Sequence, residues 1–129
     1  MEMDFTVESA KDFDATVAAV IAETEAAKFR VQFVHDVAAT LAEKGFERER
    51  VTIVELCNAR HAHAVLAADV KIGLMLPCPI MVYAEGTKVM VSTMRPTLIA
   101  DFFPNADLGT APAEVEAAVC GIVERAAAA

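Results

Sequence analysis

Hydrophobic residues change their spacing along the first part of the chain. Phe5 and Val7 alternate with polar residues, which predicts a first strand over residues 3–8. The following segment, SAKDFDATVAAVIAETEAAK, repeats its apolar residues at helical spacing and predicts a helix over about residues 11–27. FRVQFVHDV then alternates again and predicts a second strand. One side of this strand is predicted to carry Phe29, Val31 and Phe33, and the other side Arg30, Gln32 and Val34.

The remainder of the chain mixes short strands with helices. ATLAEKGFERER predicts a short helix or turn, and VTIVEL predicts a strand that runs into Cys57. ARHAHAVLAAD predicts a helix with Asn58 as its N-cap. IGLMLPCPIMVYA predicts a long strand interrupted at Pro-Cys-Pro, and a Glu-Gly turn joins it to KVMVSTM in a hairpin. Two more helices are predicted, one over residues 96–103 and one beginning at Pro112.

The order of these elements predicts the fold class. It reads β, α, β, short α, β, α, β, β, α, α, without repeats or linkers. The hairpin and the separated helices favour an α+β fold, in which a mostly antiparallel sheet carries helices on one face. A parallel α/β sheet is the alternative. The length of 129 residues predicts a single domain over residues 1–129.

Composition and charge exclude several classes of partner. Hydrophobic residues make up 56% of the chain, but the longest apolar run, residues 72–84, is too short to span a bilayer. The acidic N-terminal segment differs from a signal peptide, so we expect a cytoplasmic protein without a membrane partner. The net charge of −8 makes nucleic acid an unfavourable partner. In a reducing compartment the three cysteines are expected to be free thiols.

Several motifs resemble one known family along nearly the whole chain. They are TVESAKDFDATV, HDVAATLAEKG, CNARHAHAVL, IGLMLPCPIMVY and VSTMRPTLI. These motifs resemble domain-of-unknown-function family 302. The positions that match its pattern are Cys57, Asn58, Ala62, His63, Gly73, Pro77, Cys78 and Pro96. Two positions depart from it, since Ala59 replaces the usual Pro and Pro79 a frequent Asn.

The resemblance carries expectations about fold and assembly, but none about activity. It implies a β-α-β4-α arrangement similar in architecture to the TATA-binding-protein-like folds. It also implies a homodimer, for which the sheet edge or the hairpin would supply the interface. The family is named for having no known function, and fold alone does not assign one.

Cys57 is the first candidate site residue, because it lies where a predicted strand meets a predicted helix. Backbone N–H groups and the positive end of the helix dipole favour a thiolate there, which predicts a lowered pKa for Cys57. The alternative is a small buried residue beside an ordinary helix cap, since free Cys is among the most buried residue types.

His63 and Cys78 complete the candidate site. His61 and His63 diverge by about 200° around the predicted helix, so only one of them can serve a single site. His63 matches the family and shares a face with Leu66, although a lone His is more often structural. Cys78 lies between two prolines, which predicts a bulge or a sheet edge. Cys57 and Cys78 meet only if their strands are neighbours.

Two hypotheses follow, and whether the protein is an enzyme stays open between them. In the first, Cys57, His63 and Cys78 form a thiol or metal site. Its enzyme form uses Cys57 as nucleophile or sulfur carrier, Cys78 as resolving thiol and His63 as proton acceptor. Its binding form uses all three as ligands of a soft or borderline metal, Zn(II) or Cu(I). In the second hypothesis these residues are structural, and the protein is a non-catalytic module for a small ligand or another protein.

Overall fold

One five-stranded antiparallel sheet organises the fold in the computed structural model, which describes residues 2–129. Its strands are β1 (Asp4–Glu8), β2 (Arg30–Asp36), β3 (Val51–Cys57), β4 (Cys78–Glu85) and β5 (Lys88–Met94). They are ordered β1-β5-β4-β3-β2, and every neighbouring pair is antiparallel. The predicted α+β class is therefore confirmed. Residue 1, the first of the predicted domain, lies outside the described part of the chain.

Two long helices and several short ones connect the strands. The helices are α1 (Phe13–Ala26), α2 (Val37–Ala42), α3 (Ala59–Ala68), α4 (Leu98–Phe102) and α5 (Ala111–Ala127), with a 3-10 helix over Val70–Met75. With α1 and α5 as the long helices, the strand order along the chain is the β-α-β4-α arrangement that the resemblance implies. Within residues 2–129, none of the helices combines the length and apolar character needed to cross a membrane.

The main core lies between the sheet and the two long helices. Side chains alternate between the two faces of a strand, and every second residue of β3, β4 and β5 faces α1 and α5. The fully buried members from the sheet are Val54, Leu56, Ile80, Val82 and Val91. The fully buried members from the helices are Val20, Val119, Ile122, Val123 and Ala126. A second, smaller cluster of Val65, Ile72 and Ile99 joins α3, the 3-10 helix and α4.

The structure corrects the strand predicted around Pro-Cys-Pro. Residues 70–75 form a 3-10 helix, and β4 begins only at Cys78. Asp69 caps the 3-10 helix, because its side chain accepts a hydrogen bond from the Lys71 N–H at 2.9 Å. Ile72 is fully buried in the second cluster. A continuous apolar run indicates burial but does not distinguish a strand from a short helix.

The predicted bulge at Cys78 is absent, but pairing there is one-sided as at a sheet edge, because β5 pairs with β4 only from Ile80 onwards. β4 is an interior strand, and its register with β3 is continuous, with Cys78 opposite Leu56 and Pro79 opposite Glu55. The prolines are tolerated because they lie at the very start of the strand, where missing N–H groups matter least. The Pro79 carbonyl accepts a hydrogen bond from the Thr93 hydroxyl at 2.8 Å.

The bulge occurs in β2 instead. The register shifts between Val31 and Phe33, so that Phe33 pairs with Glu55 and Val34 pairs with Val54. The predicted sides of this strand are therefore wrong beyond Val31, because an extra residue in the strand exchanges the two faces. Phe33 is left 56% exposed on an edge strand.

Candidate functional site

The sheet register brings the two candidate cysteines together. Cys57 is the last residue of β3 and Cys78 is the first residue of β4. Because β3 and β4 pair antiparallel, Cys78 lies opposite Leu56, the residue that precedes Cys57. The condition set by the sequence, that the two strands be neighbours, is met. Both cysteines are free and half-buried.

Both thiols line one small cavity between the sheet and the helices. Its volume is about 30 Å³, which is enough for one or two water molecules or one ion. Its walls are almost entirely apolar and include Phe29, Val65, Leu76, Ile99 and Val115. A charge placed in this cavity loses most of its hydration, so the cavity favours neutral groups or a well-ligated ion.

The first turn of α3 forms the rim of the cavity beside Cys57. Asn58 is the N-cap of α3, as predicted, because its side-chain oxygen accepts a hydrogen bond from the His61 N–H at 3.2 Å. This bond satisfies one of the free N–H groups at the helix start. It fixes the direction in which α3 leaves β3.

The predicted lowering of the pKa of Cys57 is wrong. Burial raises the pKa of the Cys57 thiol. Burial raises the pKa of Cys78 to about 11, and the nearby charge that Cys57 can carry makes a smaller contribution in the same direction. Burial removes water from the thiolates and therefore disfavours their charged form. Both thiols are therefore protonated near neutral pH.

The raised pKa predicts slow alkylation of Cys78. In the folded protein burial raises the pKa of Cys78 to about 11, from the ordinary thiol value of 9.0. Since only the thiolate reacts, Cys78 should react about 100-fold more slowly at pH 7.5 than in the unfolded chain. The rate should rise with pH up to about pH 11. Iodoacetamide labelling followed by peptide mass spectrometry measures this. Equal labelling rates before and after denaturation would contradict the prediction.

The cavity is on the side of α3 that carries His61 and not His63. His61 lines the cavity, whereas His63 is exposed and does not line it. Val65, four residues after His61, is the buried residue of this helix. Residues four apart share a helix face, so His61 and Val65 both face α5. Leu66, with which His63 shares a face, is 36% exposed.

His61 contacts a carboxylate on the last helix. Its Nε2 lies 3.2 Å from Oε2 of Glu114, and Thr110 donates a hydrogen bond to the other carboxylate oxygen at 3.0 Å. The bond with His61, followed by the bond with Thr110, lowers the pKa of Glu114. The other ring nitrogen of His61, Nδ1, is buried and without a hydrogen-bond partner among residues 2–129.

The side chains do not form a ready-made metal site. Across residues 2–129, no group of three or more His, Cys, Asp or Glu side chains has an arrangement that could hold a metal ion. The cavity has two thiols and one imidazole among its lining residues.

Comparison with known proteins places the chain in a family. The family model described as "Domain of unknown function DUF302" matches residues 5–126. The chain belongs to this family. The crystal structure of an uncharacterized conserved DUF302 protein from Bacillus stearothermophilus has a similar fold, with a TM-score of 0.91 and 24% sequence identity over 98% of this chain and 99% of that chain. No curated protein matches. Membership in DUF302 assigns the fold and no activity.

Proposed function

We propose that this DUF302 protein binds a single Cu(I) ion between Cys57 and Cys78. The observation that carries the proposal is the position of both thiols on the wall of one small apolar cavity. Thiolates are soft ligands, and soft ligands select Cu(I) among the common biological metals. The volume of about 30 Å³ suits one ion.

The number of donors favours Cu(I) over Zn(II), the other metal that the sequence suggested. Zinc sites in proteins have four ligands, or three protein ligands and a water. Two thiolates suffice for Cu(I), which accepts linear two-coordination. A preformed group of three ligands is not found in residues 2–129, and this agrees better with a two-coordinate ion.

Protonated thiols do not oppose this chemistry. One Cu(I) forms two copper–sulfur bonds, both S–H bonds are broken, and two protons leave to water. The oxidation states of copper and sulfur do not change. The positive ion offsets one of the two thiolate charges that burial alone makes unfavourable, so one Cu(I) replaces two protons at the same atoms and leaves one negative charge on the site.

The raised pKa values weigh against the enzyme form of the site. The thiolate is the nucleophile in disulfide exchange and in sulfur transfer, and reactive cysteines have lowered pKa values. The pKa values of Cys57 and Cys78 are both raised by burial. The cavity beside the thiols, at about 30 Å³, is too small for an organic ligand, because ligand pockets are about 300–1,000 Å³. Reducing conditions, such as those of a cytoplasm, keep thiols free.

A competition titration tests this function. The full chain is titrated without oxygen against a coloured Cu(I) chelator. We expect one Cu(I) per chain, the same stoichiometry in Cys120→Ser, and no tightly bound Zn(II) in a parallel titration. Failure of the wild-type chain to remove Cu(I) from the chelator would contradict the proposal.

We also propose that the chain forms a homodimer through its β2 edge. Phe33 is 56% exposed and Val34 is 39% exposed on this edge strand. An edge strand with exposed apolar residues is a template for pairing with a second copy. Sedimentation velocity should show a dimer, and Phe33→Lys should shift it towards monomer. A wild-type monomer at micromolar concentration would contradict this assembly.

A further inference from the structure

A groove lies between α4 and α5, beside the loop of residues 103–110 that joins them. Its volume is about 410 Å³, which is within the range of about 300–1,000 Å³ for small-molecule sites. It is distinct from the thiol cavity, although Pro112, at the start of α5, lines both. The groove therefore has room for an organic ligand, which the thiol cavity does not.

The walls of the groove are held in place by the fold. Phe103 and Leu108 line the groove and also pack against the second cluster. The Ala106 N–H donates a hydrogen bond to the Phe103 carbonyl at 3.1 Å, and the Ala111 N–H donates one to the Leu108 carbonyl at 3.3 Å. A groove that is formed before its ligand arrives lowers the ordering cost of binding.

The polar groups of the groove favour a cation over an anion. Among residues 2–129, Asp107 is the only charged residue in the lining. The Thr97 hydroxyl and N–H both donate to Oε1 of Glu116, at 2.6 Å and 3.1 Å, so Thr97 has no donor left for an anion. Pro112 has no N–H, so the start of α5 attracts an anion less than other helix starts do.

The rest of the lining favours a ligand with an apolar part. The ring of Phe103 and the aliphatic side chains of Pro104, Leu108 and Pro112 line the groove. An aromatic ring offers apolar surface and also attracts an organic cation. A small amine that carries an aromatic or aliphatic group matches both the carboxylate and these side chains.

We propose that this groove binds a small organic amine in its protonated form. The ammonium group pairs with the carboxylate of Asp107, and the apolar part of the amine leaves water against Phe103 and Leu108. Binding forms and breaks no covalent bond. The inference goes beyond the proposed Cu(I) function and does not depend on it.

Three probes of nearly equal size test whether the groove selects by charge. They are 2-phenylethylamine, which is a cation at neutral pH, the neutral 2-phenylethanol and the anion 3-phenylpropionate. Each is titrated into the nitrogen-15-labelled full chain at constant ionic strength, and NMR records the backbone amide shifts. The amine should give saturable shifts at residues 97–113, with a dissociation constant of about 1–10 mM. The alcohol should bind at least about 3-fold more weakly, and the carboxylate more weakly still.

Two pairs of variants locate the site. Asp107→Asn keeps the size of the side chain, and should weaken amine binding about 3- to 5-fold and remove the preference over the alcohol. Asp101→Asn makes the same change at an exposed carboxylate of α4 outside the lining, and should bind like the wild type. Ala100→Leu places a larger side chain in the groove and should abolish binding, whereas Ala64→Leu, on α3 outside the groove, should not. Thermal unfolding verifies that each variant is folded.

Two kinds of result would overturn the proposal. Equal affinities for the amine and the alcohol, or an unchanged amine affinity in folded Asp107→Asn, would exclude the pairing with Asp107. Absence of saturable shifts at residues 97–113, or shifts that persist in folded Ala100→Leu, would exclude the groove as the site. Cu(I) binding is measured in a separate titration, so each proposal can fail without the other.

Discussion

Cys78→Ser is expected to weaken Cu(I) binding by at least about 100-fold. Four-ligand structural zinc sites bind their metal with about 10–16 kcal/mol, which is about 3 kcal/mol for each ligand. Each 1.4 kcal/mol is a factor of about ten in affinity. A serine oxygen is a hard donor and replaces the thiolate poorly. The chelator competition titration measures the dissociation constants of the variant and the wild type under identical conditions.

Cys120→Ser is the matched control for this substitution. Cys120 is also free and half-buried, but it lies on α5 and does not line the cavity. Its replacement should leave the affinity for Cu(I) unchanged, and Cys57→Ser should behave like Cys78→Ser. Cys78→Ala, which buries no hydroxyl, is the alternative if Cys78→Ser unfolds. Equal affinities in folded Cys78 variants and the wild type would exclude this thiol as a ligand.

Leu56→Ala is expected to lower the free energy of unfolding by about 2–5 kcal/mol. Leu56 is fully buried in the main core, in the strand position opposite Cys78. Truncation removes apolar contacts and leaves a cavity in a region that α1, α5 and the sheet cannot easily fill. Urea unfolding monitored by circular dichroism measures the change, with ΔG extrapolated to water.

Leu74→Ala makes the same chemical change at an exposed position. Leu74 is 87% exposed in the 3-10 helix. Its truncation should change the free energy of unfolding by no more than about 0.5 kcal/mol. A similar loss in both variants would show that the described packing of Leu56 is incorrect. A loss in Leu56→Ala alone would support the core between the sheet and the two long helices.

The sequence predicted most of the elements because their spacing reflects burial on one side. Strand β1, helix α1 and the β4–β5 hairpin occur close to their predicted positions. The prediction was wrong where residues are buried outside the main core and where a strand contains a bulge. Ile72 and Met75 pack in a second cluster from a 3-10 helix, and a bulge in β2 exchanges the faces of Phe33 and Val34. Neither feature changes the local hydrophobic pattern in a way that a single sequence reveals.

The candidate site was less predictable than the fold. The proximity of Cys57 and Cys78 depends on the register of β3 and β4, which residues far apart in sequence determine together. The choice between His61 and His63 required the identity of the buried face of α3, and Val65 rather than Leu66 defines it. The pKa of Cys57 is raised by burial, and the extent of that burial is visible only in the packed structure.

Counting the protons released on Cu(I) binding tests most directly whether both Cys57 and Cys78 bind the ion. Both thiols are protonated near neutral pH because burial raises their pKa values. Cu(I) acetonitrile complex is added without oxygen to the weakly buffered full chain at pH 7, and an indicator dye records the acid released. We expect two protons for each Cu(I) bound, with saturation at one Cu(I) per chain. Binding without proton release, or proton release that persists in the Cys57→Ser and Cys78→Ser double variant, would contradict it.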